Sequence, residues 1–311
     1  MARSLALVTV AVAVLAGAPA AQQPTFRAGS DVVRVFATVI DRDGRLATTL
    51  TKEQFEIRDD GKPQPLTQFD RSPQPIRLIM MLDVSGSMEG NLALLRDASD
   101  ELFARLGPDD LARVGTFGRK VEISQTFTRD RTELRGTLPT AIDPDAPTPL
   151  WRGIDEAMDA FGKDREQRRV VLVLSDGKDT GMGGGFQRHV SSQGGVIDRA
   201  REEDVMIYAV GMRSRMRPNA MGPADMRSMM LNDLPDPGLA RVAEETGGGY
   251  LEIRGGENLG SAFARVADEL HAQYLLGYAL PRRDGKVHKI DLSVTEKGFK
   301  PRARRSYVAP K

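Results

Sequence analysis

Five oxygen-bearing side chains in three separate stretches could do chemistry together. Asp83, Ser85 and Ser87 fall in Asp83-Val84-Ser85-Gly86-Ser87, directly after the apolar run of residues 78–82. Asp176 falls in Ser175-Asp176-Gly177, directly after a second apolar run, residues 170–174. Thr148 lies between them, in Pro147-Thr148-Pro149-Leu150, at the head of a helical pattern. Taken singly, each is ordinary: Asp and Ser after a strand are turn and cap residues, and Ser-Asp-Gly is a common turn. Together they offer two carboxylates and three hydroxyls, all hard oxygen donors. Such a set suits Mg²⁺, Mn²⁺ or Ca²⁺, and so few protein charges favour Mg²⁺, which keeps several of its waters.

For that chemistry the stretches must meet, and the surrounding elements say where. In an open α/β sheet, ligands bind at the carboxyl ends of strands, where the strand order reverses. Residues 78–82, 170–174 and 205–210 are continuous apolar runs, the pattern of strands buried on both faces of a parallel sheet. Residues 111–117 and 121–127 read as two more strands, with Gly118-Arg119-Lys120 as the turn, and 250–253 as an edge strand. Leu92, Leu95, Leu102 and Leu106 recur at helical spacing. So do Leu150, Ile154, Met158 and Phe161, and again Leu259, Phe263, Val266 and Leu270. Strands alternating with helices predict an α/β fold over 76–273, doubly wound around a mostly parallel sheet.

On both sides of that region the texture is β. Residues 31–40 and 55–58 alternate and end in the turns Asp41-Arg42-Asp43-Gly44 and Asp59-Asp60-Gly61-Lys62. Residues 274–280, 287–294 and 302–308 repeat the pattern at the other end. The segments 21–75 and 274–311 are therefore expected to join in one flanking β module, with Pro73 and Pro75 in the linker.

The first 20 residues read as an address. Arg3 precedes an apolar run over 5–15, and Ala18-Pro19-Ala20 gives the small-x-small pattern of a signal-peptidase site. Segment 1–20 is expected to be a secretory signal peptide, and its cleavage leaves equal numbers of basic and acidic residues. No other segment is long and apolar enough to span a bilayer. The expected location is outside the cytoplasm: periplasmic, cell-surface or secreted.

Composition excludes much else. The 311 residues include no cysteine, so disulfides, thiolate metal sites and cysteine nucleophiles are absent. With 44 Lys+Arg against 43 Asp+Glu there is no general electrostatic warrant for binding nucleic acid. The three histidines, His189, His271 and His288, show no helical metal-ligand spacing. Neither Ser85 nor Ser87 sits in a Gly-x-Ser-x-Gly elbow, and no histidine follows a triad order, so the expectation is a protein that is not an enzyme.

Asp83-x-Ser85-x-Ser87, a later Thr148 and Ser175-Asp176-Gly177 resemble the metal-ion-dependent adhesion site (MIDAS) of von Willebrand factor type A (VWFA) domains, with all five positions matched. The resemblance implies that Ser85, Ser87 and Thr148 bind the cation directly or through water. Asp83 and Asp176 mainly steer and neutralise, and a partner's carboxylate completes the coordination. Related sequences often carry Gly-Gly-Thr where this chain has Ala146-Pro147-Thr148, a stiffer loop. A wider resemblance reaches the exported VWFA-related proteins of acidobacteria. It is carried by residues 55–62, Glu245-Thr246-Gly247-Gly248, residues 273–278 and residues 305–310, and it covers nearly the whole mature chain.

The implied function is divalent-metal-dependent, adhesion-type binding of a protein or peptide that presents an Asp or Glu to the ion. The alternatives are a structural envelope protein with a vestigial site and a metal-assisted hydrolase. The implied sheet has six strands. Three further features are expected to be structural. They are the methionine-rich insertion from Met212 to Met230, the glycine-rich Gly181-Met182-Gly183-Gly184-Gly185 as a flexible loop, and Lys300, Arg302, Arg304 and Arg305 as a solvated basic face.

Overall fold

In a computed structural model, residues 32–163, 167–181, 191–213, 234–254 and 257–311 are described. The leader expected over 1–20, His189, residues 182–185 of the glycine-rich loop and residues 214–230 of the methionine-rich insertion lie outside the described residues.

Four strands come first: β1 (Val32–Ile40), β2 (Phe55–Asp59), β3 (Lys62–Gln64) and β4 (Leu66–Asp70). The α/β region follows with β5 (Ile76–Asp83), α1 (Leu92–Arg105), β6 (Leu111–Phe117), β7 (Val121–Ile123), α2 (Arg131–Gly136), α3 (Leu150–Ala160) and β8 (Arg168–Ser175). It continues with α4 (Gln193–Glu203), β9 (Val205–Met212), α5 (Pro237–Thr246), β10 (Tyr250–Ile253) and α6 (Leu259–His271). The chain closes with β11 (Tyr274–Ala279), β12 (Val287–Val294), β13 (Lys300–Arg302) and β14 (Ser306–Val308).

The central sheet has six strands in the order β10-β9-β8-β5-β6-β7, parallel except for the β6–β7 pair. From β5 the chain builds outward to β6 and β7, then crosses back over β5 to lay down β8, β9 and β10. The order therefore reverses at β5, and the expected doubly wound α/β fold is the one observed. Alternation explains why β5 carries an unbroken apolar run. Leu78, Met80 and Leu82 enter a core with Leu95 and Phe103 of α1 and Phe263 of α6. Ile79 and Met81 enter the opposite core with Ile154 of α3, Val196 of α4 and Leu239 of α5. Each such side chain contributes roughly 1.5–3 kcal/mol by burial.

The two ends of the chain do form one β module. β1 pairs antiparallel with β11, and β2 with β12, giving two four-stranded sheets, β13-β1-β11-β4 and β14-β12-β2-β3. Both sheets contribute to a shared core, with Val35 and Leu276 from one and Ile57 and Ile290 from the other. Residues 302–308 depart from the expected single strand. β13 pairs with β1 and β14 with β12, so the chain changes sheets between them. Residues 121–127 are also shorter as a strand than expected, since β7 ends at Ile123.

The basic cluster near the C-terminus divides: Lys300 and Arg305 stay exposed as expected, whereas Arg302 and Arg304 are drawn in against the α/β region. Arg302 bonds Glu269 of α6 and lies 5.7 Å from the Tyr208 ring centre, Arg304 Nη1 is 2.6 Å from Asp204 Oδ1, and Arg305 pairs with Glu244. These contacts tie the module to the α/β region. Gln273 joins the same seam, its Nε2 donating to Thr38 Oγ1 at 2.7 Å and its Oε1 accepting from the buried Arg168.

Candidate functional site

Asp83 ends β5, and Ser175 ends the neighbouring β8, whose Leu174 pairs with Leu82. The two stretches therefore emerge side by side at the carboxyl edge, where the strand order reverses. Asp83 is fully buried. Its Oδ1 accepts from the Ser85 N–H at 2.9 Å, and its Oδ2 accepts from Ser175 Oγ at 2.5 Å. The Val84 N–H donates to Phe117 O at 2.9 Å, which keeps the chain on the sheet edge for one more residue.

A single 3₁₀ turn, Gly86–Met88, then folds Ser87 back over the edge, closed by the Met88 N–H on Ser85 O at 3.0 Å. Ser87 Oγ donates to Asp176 Oδ1 at 2.6 Å and lies 3.0 Å from Ser85 Oγ. Gly86 allows this turn to sit against the loop that carries Thr148. Its N–H donates to Ala146 O at 3.2 Å, and a Cβ there would fall 1.9 Å from Pro144 O.

Thr148 is buried, and its backbone is clasped by Thr180. The Thr148 N–H donates to Thr180 Oγ1 at 2.9 Å, and the Thr180 N–H donates to Thr148 O at 3.1 Å. The two hydroxyls on either side of the edge converge above Gly177. A Cβ built there would lie 3.0 Å from Thr148 Oγ1 and 3.5 Å from Ser87 Oγ. The Ala146-Pro147-Thr148 loop thus brings Thr148 to the cluster. All five expected residues, Asp83, Ser85, Ser87, Thr148 and Asp176, lie around this one edge.

Burial pushes the Asp83 carboxyl up to about 7, and the charge of Asp176 adds to that rise, against hydrogen bonds from Ser175 and Ser85 that lower it. Two buried acids facing each other through hydroxyls are a poor arrangement for lone anions and a good one around a cation. The donor set is oxygen throughout, so the residues present fit a hard divalent ion. Ser85, Ser87, Thr148, Asp83 and Asp176 are the residues that would hold it.

Three supporting residues were not singled out from the sequence. Ser175 holds Asp83, and Thr180 holds the Thr148 loop. Asp179 accepts from the Trp151 N–H at 3.4 Å, and its own N–H donates to Asp236 Oδ2 at 3.1 Å. Burial first, then Asp236, raises the carboxyl pKa of Asp179. The available signal was the run Ser175–Thr180 itself, four of whose six residues carry side-chain oxygens.

Residues 78–178, from β5 to just past Asp176, match the von Willebrand factor type A domain family. No curated protein matches the chain. Among solved structures the chain is similar to a von Willebrand factor type A protein from Catenulispora acidiphila, with 12% identity and a TM-score of 0.48 over 92% of this chain and 76% of that one. It is also similar to the conserved hypothetical protein BatB from Bacteroides thetaiotaomicron, with 15% identity and a TM-score of 0.44 over 63% and 98%. A third is proximal thread matrix protein 1 from the mussel byssus with a zinc-occupied MIDAS motif, at 15% identity and a TM-score of 0.46 over 69% and 50%.

Proposed function

We propose that this chain is an exported, non-enzymatic binding module that captures an acidic side chain of a protein or peptide partner through a divalent cation, Mg²⁺ by preference. One observation carries the reading. Two buried carboxylates and three hydroxyls from three separate loops converge at the point where the strand order reverses. The match of residues 78–178 to the VWFA domain family supports it, as does the D-x-S-x-S…T…D pattern of that family's metal-ion-dependent adhesion site.

In this reading Ser85, Ser87 and Thr148 present neutral oxygens. Asp83 holds the Ser85 backbone, and Asp176 orients the Ser87 hydroxyl. When bound, the cation supplies a positive charge that attracts a carboxylate oxygen. With Asp83 and Asp176 engaged in orienting Ser85 and Ser87, a partner's Asp or Glu would supply the direct carboxylate ligand. Among the described residues the Ser85 and Ser87 hydroxyls meet carboxylate and hydroxyl oxygens rather than an imidazole, an arrangement for holding rather than for nucleophilic attack.

The test is capture from an envelope extract by the immobilised chain in Mg²⁺ and in EDTA, followed by Asp-to-Asn and Glu-to-Gln replacement in whatever is captured. Capture should require Mg²⁺ and one acidic residue of the partner. Capture that survives both EDTA and Asp83→Ala would place recognition elsewhere on the chain.

A further inference from the structure

At one end of the β sandwich, far from Asp83 in sequence, a histidine faces three carboxylates. His288 in β12 is buried, and its Nδ1 lies 2.7 Å from Oδ1 of the buried Asp59 in β2. The same nitrogen lies 3.4 Å from Oδ2 of Asp60, whose side chain is half exposed. One atom from each of Asp59, Asp60 and His288 falls within 4.8 Å of the others. We propose that these three residues form a second cation site, for a zinc-class divalent ion bound by one imidazole nitrogen and two carboxylate oxygens, with water on the open Asp60 side.

The surroundings are those a metal site needs. A ligating histidine usually gives its other ring nitrogen to a carboxylate, which fixes the ring and its tautomer. Here His288 Nε2 lies 3.3 Å from Asp284 Oδ1, which also accepts the Lys286 N–H. A ligating carboxylate is usually held through its remaining oxygen. Asp59 Oδ2 accepts from Tyr278 of β11 at 2.9 Å and from Tyr307 of β14 at 2.7 Å. Asp60 is held too, its Oδ1 accepting the Lys289 N–H at 2.9 Å, which leaves Oδ2 turned toward the imidazole.

Ligand atoms about 2.1 Å from a tetrahedral ion sit about 3.4 Å apart. The His288–Asp60 separation already has that value, while the His288–Asp59 contact must open by roughly 0.7 Å as the ring gives up its Nδ1 proton. The imidazole sets this site apart from the all-oxygen cluster around Asp83, because ring nitrogen favours zinc over magnesium. Its effect is mechanical. It joins β2 to β12, whose ligands are 229 residues apart, and so clamps the two ends of the chain together.

A protonated His288 hydrogen-bonded to the same carboxylates is the competing state, and zinc titration separates the two. The full-length mature chain carrying Asp83→Ala, which disables the first cluster, is titrated with Zn²⁺ by calorimetry in excess Mg²⁺. One equivalent should bind and raise Tm. Adding Asp60→Asn, which keeps the oxygen that accepts the Lys289 N–H, should weaken binding by at least about tenfold. If Asp83→Ala proves poorly folded, the intact chain serves. In the same excess of Mg²⁺, which fills the first cluster, it should take up one zinc ion, with affinity at least about tenfold lower in Asp60→Asn. No uptake by folded Asp83→Ala, or uptake indifferent to Asp60→Asn, overturns the proposal and leaves the cluster as a protonic clamp.

Discussion

Gly86→Ala tests whether the Ser85–Ser87 turn and the Thr148 loop hold a cation between them. The added Cβ would lie 1.9 Å from Pro144 O and 2.7 Å from Pro144 C, both backbone atoms that cannot swing away. Real Cβ atoms do not approach below 3.0 Å, so the two segments must part by at least about 1.1 Å. A binding constellation tolerates roughly 0.5 Å, and a displacement near 1 Å costs on the order of 100-fold. The Mg²⁺ affinity of Gly86→Ala should therefore fall about 100-fold, or roughly 2.7 kcal/mol.

Melting curves with and without Mg²⁺ read this directly. At a Mg²⁺ concentration 100 times the wild-type Kd, wild type gains about 2.7 kcal/mol and the variant only about 0.4 kcal/mol. The corresponding gains in Tm are roughly 5–10 °C and about 1 °C. Overpacking lowers the metal-free stability of the variant as well, by about 1–3 kcal/mol, so the quantity to compare is each protein's own Mg²⁺-induced shift. Gly194→Ala is the control, since a Cβ there meets nothing within 4 Å. A full Mg²⁺ shift in Gly86→Ala would show that the cation is not held between these segments, and the reasoning would fail.

Three further outcomes follow from the same contacts. Thr148→Ala should abolish both the Mg²⁺ shift and partner capture while far-UV circular dichroism stays native; retained capture would remove Thr148 from the site. Asp110 accepts from the Ile76 N–H, the Gly107 N–H and His271 Nε2, and these bonds outweigh its burial to hold its carboxyl below the ordinary 3.8. Its contribution is therefore present above pH 3.8 and lost as pH falls through the lower folded value. Asp110→Asn should cost about 1–3 kcal/mol at neutral pH and flatten the acid limb of the stability–pH curve, and an unchanged limb would contradict this. Arg302→Met should cost about 1.5–3 kcal/mol in urea unfolding, by taking one of the two arginines from the buried Glu269, which keeps Arg265 at 3.2 Å. The double variant with Glu269→Gln should recover most of that loss, and strict additivity would mean the pair is not coupled.

The α/β core was legible because its strands are buried on both faces, so residues 78–82 and 170–174 announce themselves without any partner. The candidate site was legible for a related reason, since Asp83 and Asp176 each follow such a run and the fold brings neighbouring strand ends together. Pairings between distant segments were not legible. Asp59 and His288 each look like turn or strand residues until β2 and β12 lie side by side. β3 is too brief to show alternation, and in β4 the apolar Leu66 and Phe69 stand three apart, out of the two-residue period. The sheet change between β13 and β14 falls at Ala303-Arg304-Arg305, which hold no Gly, Pro, Asn or Asp to mark a break. Ser175 was overlooked because its role is to hold a neighbour's carboxylate, which its own sequence context does not reveal.

One proposed cation site stands on the carboxyl edge of the central sheet and the other lies within the β module. The module meets the amino-terminal edge of that sheet: Gln273, beside Thr38 of β1, reaches Arg168 at the start of β8, and Arg304 pairs with Asp204 just before β9. Asp83 stands at the far end of the eight-residue β5, about 23 Å along the strand at roughly 3.3 Å per residue. Effects at such separations, with no shared partner, add to within about 0.5 kcal/mol. Asp60→Asn and Gly86→Ala combined should therefore lose the zinc response and the magnesium response independently, each by the amount seen in the single variant. A magnesium shift that changes with Asp60→Asn would mean the β module communicates with the carboxyl edge through the strands. β8, buried along its whole length, starts at Arg168 against the module and ends at Ser175 against Asp83, so it is the strand through which such coupling would run.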